Sequence, residues 1–278
     1  MTAVIDIGSN SVRLLYNGIK YNSITQLSEG LMLNNTLSEI PMARTINAVK
    51  YYFHFALSLG ALDVNVFATE AVRSAKNSAE FVKLLQDENI PIDIIDSYTE
   101  SKIAFLGAYN GGTKAILDVG GASSELAVGD ENGIYYSHSL PLGGVRLKDY
   151  SQDKNVLLPY IKTRLPEYGK VPHFDELISI GGTSSSLAAI YLELEPYDTN
   201  AVHNFIFSYN SISSTVNRII KTPINERINI KGMHPKKTLI LPCGGLLILG
   251  VMEYLNVDYI RISELDNLEG YLKLKVEK

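Results

Sequence analysis

One short device occurs twice in this chain, about 110 residues apart. Ala3-Val4-Ile5 leads into Asp6-Ile7-Gly8-Ser9-Asn10-Ser11 and out through Val12-Arg13-Leu14-Leu15. Ala115-Ile116-Leu117 leads into Asp118-Val119-Gly120-Gly121-Ala122-Ser123-Ser124-Glu125 and out through Leu126-Ala127-Val128. Each copy is a β-prone run, an aspartate, a Gly/Ser turn and a second β-prone run. An Asp at a strand end can hold a divalent cation, usually through water. Glycines let the backbone approach closely, and the following N–H and hydroxyl groups can cradle phosphate oxygens. A single Asp-x-Gly after a strand is commonly an ordinary turn with a solvated Asp. The repetition of turn and flanks together predicts two similar lobes gripping one phosphate chain between them.

The rest of the chain keeps this two-part rhythm. Strands are predicted at Ala3–Ile7, Val12–Tyr16 and near Tyr21–Leu27, with Asn17-Gly18 as a hairpin turn. A helix follows from Pro41 to about Leu59, its apolar face made of Ala43, Ile46, Val49, Phe53, Ala56 and Leu57. Then come a strand at Val64–Ala68, a helix at Glu80–Gln86, a strand at Ile92–Ile95 and a helix at Glu100–Tyr109. Gly111-Gly112 marks the expected lobe boundary, so the lobes span 1–112 and 113–264, with a closing segment 265–278 that can pack back on the first. The second half predicts strands at Lys114–Asp118, Ser124–Val128 and Gly133–Ser139, a helix at Asn155–Arg164 and a strand at Leu177–Ile180. Gly181-Gly182-Thr183 then opens a helix through Tyr191; further helices fit Ser211–Ile220, Cys243–Leu255 and Asn267–Val276, with a strand at Val257–Ile262. Three strands followed by helix, strand, helix, twice over, is the pattern of the ribonuclease-H-like lobe. The fold class is therefore α/β, a duplicated two-lobed fold of the actin-like ATPase and sugar-kinase type, with the ligand in the interdomain cleft.

Composition narrows the function. The chain has 278 residues, 25 Lys plus Arg and 30 Asp plus Glu, a formal net charge of −5. Mild acidity argues against broad nucleic-acid binding but leaves room for a local basic lining around an anion. The single cysteine, Cys243, forbids an intrachain disulfide and suits a reducing cytosol. The opening residues predict a strand, not a signal peptide. The apolar stretch Leu239–Leu255 carries Pro242, Gly244, Gly245 and Glu253 and predicts a buried helix, not a membrane span. The expected setting is the cytoplasm, with no membrane partner.

Three further segments carry chemistry-bearing groups. Ala68-Thr69-Glu70-Ala71-Val72-Arg73-Ser74-Ala75-Lys76-Asn77 follows a strand. There Arg73 is either a bidentate phosphate ligand or a solvated helix residue. Glu100, after Asp96-Ser97-Tyr98-Thr99, is either a first-turn acid favoured by the helix dipole or a general base activating water. Gly181, Gly182 and Thr183 lie between strand and helix, as a phosphate or nucleotide site or as a tight turn with a cap. The five histidines show no zinc-ligand spacing, and no Walker sequence or Gly-x-Ser-x-Gly elbow is present. Lys236-Lys237 reads as a solvated pair.

The order of these segments, together with Ser-Leu-Pro-Leu-Gly-Gly-Val-Arg-Leu at 139–147, resembles the Ppx/GppA family across nearly the whole chain. These are exopolyphosphatases and guanosine pentaphosphate phosphohydrolases of the actin-like ATPase superfamily, and the chain resembles their short two-domain form. The resemblance implies Asp6, Ser9 and Asn10 as the first phosphate and metal loop. It implies Asp118, Gly120, Gly121 and Ser123 as the second, with Asp118 on Mg²⁺, Glu100 as the catalytic glutamate and Arg73 on phosphate. The implied activity is release of terminal phosphate from polyphosphate or of the 5′ γ-phosphate from pppGpp. A homodimer is left open.

Departures from the family pattern are specific. Thr99 replaces the first acid of the usual acidic pair, Ala122 replaces a third glycine, and Leu268 stands where Leu-Arg-Glu-Gly has its arginine. They allow a second expectation, a non-catalytic sensor that binds polyphosphate or alarmone and signals by cleft closure. A sugar-kinase-like ATPase ranks last, for want of a distinguishing catalytic Asp.

Overall fold

Asn17 and Gly18 both take positive φ, 51° and 75°, and close a two-residue hairpin in which Tyr16 pairs with Ile19. This turn joins β2 (Ser11–Tyr16) to β3 (Ile19–Ile24), after β1 (Thr2–Ile7) has turned back through residues 8–10. The computed structural model describes residues 1–276, so the expected closing segment 265–278 runs two residues past what is described.

After β3 come α1 (Leu31–Asn34), α2 (Glu39–Ser58), β4 (Asp63–Ala68), α3 (Glu70–Arg73), α4 (Ser78–Gln86), β5 (Asp93–Ile94) and α5 (Ser97–Ala108). The second half holds β6 (Lys114–Val119), β7 (Ser124–Asp130), β8 (Gly133–Leu140), α6 (Gly144–Tyr150), α7 (Lys154–Arg164), β9 (Glu176–Ile180) and α8 (Gly181–Tyr191). It continues with α9 (Thr199–Val202), β10 (Ile206–Ser208), α10 (Tyr209–Lys221), α11 (Ile240–Leu255), β11 (Tyr259–Ile262) and α12 (Asn267–Val276).

The two sheets repeat one topology. The first runs β3-β2-β1-β4-β5 and the second β8-β7-β6-β9-β11-β10. In both, three antiparallel strands are followed by parallel additions: β4 beside β1, and β9 beside β6. This is the duplicated ribonuclease-H-like architecture of the actin-like ATPases. Each sheet has its own core. Ile5, Ile7, Val12 and Leu14 anchor the first with Val49, Phe81 and Leu85. Leu117, Val119, Leu126 and Val128 anchor the second with Leu247, Ile248 and Val251. Leu247, Ile248 and Val251 lie on α11, most of which is buried. Among the described residues no helix is long and apolar enough to cross a membrane.

Some expected elements differ from those observed. The buried face of α2 is Pro41, Met42, Thr45, Val49, Tyr52 and Ala56, while Ala43 and Leu57 are exposed. A reading by apolar residues alone missed that Thr45 satisfies its hydroxyl on the carbonyl of Pro41 at 2.8 Å, and Tyr52 on Ser23 at 2.9 Å. Those bonds let both side chains be buried. The short β10 and the helix α6 were not foreseen; α6 lies over the second turn.

Helices α5 and α12 lie between the sheets. Phe105 and Ala108 of α5 meet Ile116, Ile178 and Ile180 of the second sheet. Ile103 of α5 with Leu268 and Tyr271 of α12 meets Val4, Leu15 and Phe67 of the first. The two helices touch backbone to backbone. A Cβ added to Gly270 would come 1.7 Å from the Ile103 carbonyl oxygen, and one added to Gly107 would come 2.0 Å from that of Asp266.

Candidate active site

The two turns are built alike. In the first, the Gly8 N–H donates to the Ser11 carbonyl at 3.0 Å; in the second, the Gly120 N–H donates to the Ser123 carbonyl at 3.0 Å. They also abut. A Cβ placed on Gly121 would lie 2.9 Å from the Ser9 Cβ and 3.3 Å from the Asn10 nitrogen. The structure thus brings Asp6, Ser9 and Asn10 against Asp118, Gly120, Gly121 and Ser123 at the seam between the lobes. Ser9, Asp6, Asp118 and Ser123 are all buried there.

The surroundings of the two aspartates differ. Across the β1–β2 ladder Asp6 faces Arg13, whose Nη2 lies 2.5 Å from Asp6 Oδ2 and whose Nη1 lies 2.5 Å from Asp266 Oδ2. Across the β6–β7 ladder Asp118 faces Glu125. Burial, and then the Glu125 charge, push the Asp118 carboxyl up to about 8. Burial pushes Glu125 up to about 7, against the Ser123 and Ser139 hydroxyls that favour its ionised form. Asp6 is also raised, because burial outweighs Arg13. Asn267, the first residue of α12, donates from Nδ2 to Asp118 Oδ2 at 3.1 Å. Asp266, Asn267, Arg13 and Glu125 were not foreseen as site residues. Asp266 and Asn267 reach the site from 253 and 149 residues away in sequence, a separation that no local motif encodes.

Glu100 sits in the first turn of α5, whose start is fixed by Asp96 accepting from the Thr99 N–H at 2.7 Å. Glu100 is buried while Thr99 is half-buried. Its pKa is raised well above the carboxylate range by burial first and by Glu125 next, with Arg73 pulling the other way. Arg73 Nη1 lies 3.0 Å from Glu100 Oε2 and 2.7 Å from the Ile95 carbonyl, and its Nη2 lies 2.7 Å from Glu70 Oε2. Arg73 is therefore held by three acceptors inside the seam.

The third motif joins the second loop. The Thr183 hydroxyl donates to the Val119 carbonyl at 2.8 Å, and Gly181, with φ of 82°, brings its backbone so near Asp118 that an added Cβ would lie 2.6 Å from Oδ1. Lys237 donates to the Gly182 carbonyl at 2.9 Å and to the Ser186 hydroxyl at 2.7 Å. Lys236 crosses to the first lobe and donates to the Ile24 carbonyl at 2.8 Å. The pair is thus more than solvated: Lys236 is exposed as expected, yet both ammonium groups are pinned on protein acceptors, and burial lowers Lys237 to about 8.

The 139–147 segment folds over the second loop. The N–H groups of Val145 and Arg146 donate to the Gly121 carbonyl at 2.9 and 3.1 Å, and Arg146 Nε donates to the Ala122 carbonyl at 2.9 Å.

The comparisons decide the family. The model of the Ppx/GppA phosphatase family matches residues 6–278. The chain belongs to that family. It is 28% identical to a bifunctional 3-dehydroquinate synthase/phosphatase of Fusobacterium nucleatum, over 100% of this chain and 47% of that protein. It thus spans about half the length of that relative. A putative exopolyphosphatase of Haemophilus influenzae is 23% identical over 97% of this chain and 90% of its own length. The crystal structure of the Aquifex aeolicus Ppx/GppA family member superposes with a TM-score of 0.80 at 26% identity, covering 99% and 97% of the two chains.

Whether the acids fit a divalent cation can be judged from the donors. Asp6 Oδ1 is buried with no hydrogen-bond partner, and burial, then the Glu125 charge, pushes the Asp118 carboxyl up to about 8. Both are hard oxygen donors. Among the described residues no cluster of three or more such ligands forms a complete protein cage. One or two carboxylates completed by water and substrate phosphate is the usual Mg²⁺ arrangement, and Asp6 and Asp118 fit it.

Proposed function

We propose that this protein is a Mg²⁺-dependent phosphohydrolase that releases terminal phosphate from inorganic polyphosphate or the 5′ γ-phosphate from pppGpp. The observation that carries the reading is Glu100. It is a buried carboxylate with a strongly raised pKa, next to Arg73 and facing Glu125, at the seam where the two phosphate loops meet. Raising the pKa of a carboxylate by burial makes it a stronger base toward water than a solvated one.

In this reading the amides of Ser9, Asn10, Gly121 and Ser123 hold the phosphate chain, Gly120 closes the second turn against it, and Gly181, Gly182 and Thr183 flank it. Glu100 positions and deprotonates water in line with the terminal phosphorus. Arg73 keeps the Glu100 carboxylate aimed and neutralises a phosphate oxygen. Asp6 and Asp118 would hold Mg²⁺, which when bound supplies positive charge to the phosphate oxygens. Arg13 orients Asp6 and opposes the burial that raises its pKa, and Asn267 fixes one oxygen of Asp118.

A catalytically weak sensor of polyphosphate or alarmone is the second reading, favoured by the three protein acceptors that already hold Arg73. Phosphate release from long-chain polyphosphate and from pppGpp, side by side with and without Mg²⁺, separates the two. Mg²⁺-dependent release from either supports the enzyme and names its substrate. Binding of one without release supports the sensor.

A further inference from the structure

Glu70 opens α3 and lies between two arginines, one from each lobe. Its Oε2 is 2.7 Å from Arg73 Nη2, and its Oε1 is 3.8 Å from Arg146 Nη2. Arg73 also touches Glu100, and Arg146 is fixed on the Ala122 carbonyl of the second loop. The side chains of Glu70, Arg73 and Arg146 are 17%, 22% and 18% exposed, so solvent reaches this spot. Two guanidinium forks converging on one pair of carboxylate oxygens is the geometry that also receives a phosphate.

We propose that Glu70 fills an anion seat between Arg73 and Arg146 which a phosphate group of the substrate takes over on binding. The proposal rests on the phosphohydrolase reading and extends it by adding Arg146 as a substrate ligand and Glu70 as a built-in competitor. Binding is then an exchange: the carboxylate of Glu70 leaves for solvent, and a phosphate carrying more negative charge takes both guanidinium groups. An anion in the seat is held from both lobes at once, through Arg73 after β4 and Arg146 on α6. It also lies beside Glu100, so the exchange turns Arg73 from an internal counter-ion into a substrate contact without moving it from the base. A neutral or singly charged ligand would not displace Glu70, so the seat selects for phosphoanhydride chains over weaker anions.

The test is calorimetric binding of sodium tripolyphosphate in the presence of EDTA to the wild-type protein, Glu70→Gln and Arg146→Gln, with the thermal midpoint of each recorded. Removing the competing charge in Glu70→Gln is expected to tighten binding about tenfold, and Arg146→Gln to weaken it about tenfold, the size of one charge-assisted hydrogen bond. Glu70→Gln binding equal to or weaker than wild type, in a protein that melts normally, overturns the seat. If Glu70→Gln does not fold, Arg146→Gln decides: unchanged affinity overturns the proposal and weakened affinity sustains it. If the wild-type protein and both variants bind no tripolyphosphate, the phosphohydrolase reading falls and the seat with it. Wild-type binding with both variants alike removes the seat alone.

Discussion

Glu125 stands across the β6–β7 ladder from Asp118, in the place that Arg13 takes opposite Asp6 in the first lobe. The duplicated device is thus electrostatically asymmetric. One aspartate is paired with an arginine within its own hairpin, while the other faces a second acid and is pushed by burial, and then by that acid, up to about 8.

That asymmetry predicts a pH dependence of stability in chelator. A carboxyl whose folded pKa is raised contributes stability that is fully present below its unfolded value and lost as pH rises through the folded one. Asp118 and Glu125, at about 8 and about 7 against ordinary values of 3.8 and 4.5, set the window. The melting temperature in EDTA should fall as pH is raised from about 5 to about 8, and the fall should be smaller in Asp118→Asn. A wild-type midpoint that rises over this range would refute the assignment.

Glu100→Gln keeps the size of the side chain and its contact with Arg73 but removes the base. Turnover should drop at least ~100-fold, with tripolyphosphate affinity nearly unchanged. Equal rates of phosphate release by the variant and the wild type would sink the role given to Glu100.

The two turns and Glu100 were legible in the sequence because their chemistry is local: an aspartate, its turn and its flanks lie within a dozen residues. The antiparallel strands that open each lobe were legible for the same reason, since the hairpins at Asn17-Gly18 and at residues 130–133 are short-range signals. Glu125 was on the page as part of the second motif, yet its meaning depends on register with Asp118. Asp266 and Asn267 were invisible, because they reach the site only through tertiary packing of α12. Lys236 and Lys237 misled as a charged pair, since charge alone does not show which carbonyls a chain will bring to an ammonium group. Leu268, noted as a missing arginine, is fully buried among Val4, Phe67 and Ile103. Its neighbours Asp266 and Asn267 are the ones that reach the seam.

Arg13→Leu should destabilise strongly. It removes the shared partner of Asp6 and Asp266, both buried, and stranding one member of a buried pair typically costs about 3–5 kcal/mol. Lys20, 3.3 Å from Asp266 Oδ2, softens the loss on that side only. Urea unfolding of the variant checks this; a loss under about 1 kcal/mol would place the pair among weak surface bridges.

Gly270→Ala is expected to be among the most damaging single-methyl changes in the protein. The new Cβ would meet the Ile103 carbonyl at 1.7 Å, and backbone cannot move aside as a side-chain tip can. The cost should reach about 3 kcal/mol, the upper part of the overpacking range. A folded variant within about 1 kcal/mol of wild type by the same urea titration would show that α5 and α12 can separate freely.

The return of α12 to the seam has a consequence for biosynthesis. Both phosphate turns leave the ribosome long before Asp266 and Asn267 do, so Arg13 and Asp118 wait for partners 253 and 149 residues downstream. Domains form largely in the order they are made, and contacts this distant close last. A nascent chain therefore displays both hairpins before the helix that ties them together, and the seam is completed only when α12 has been made.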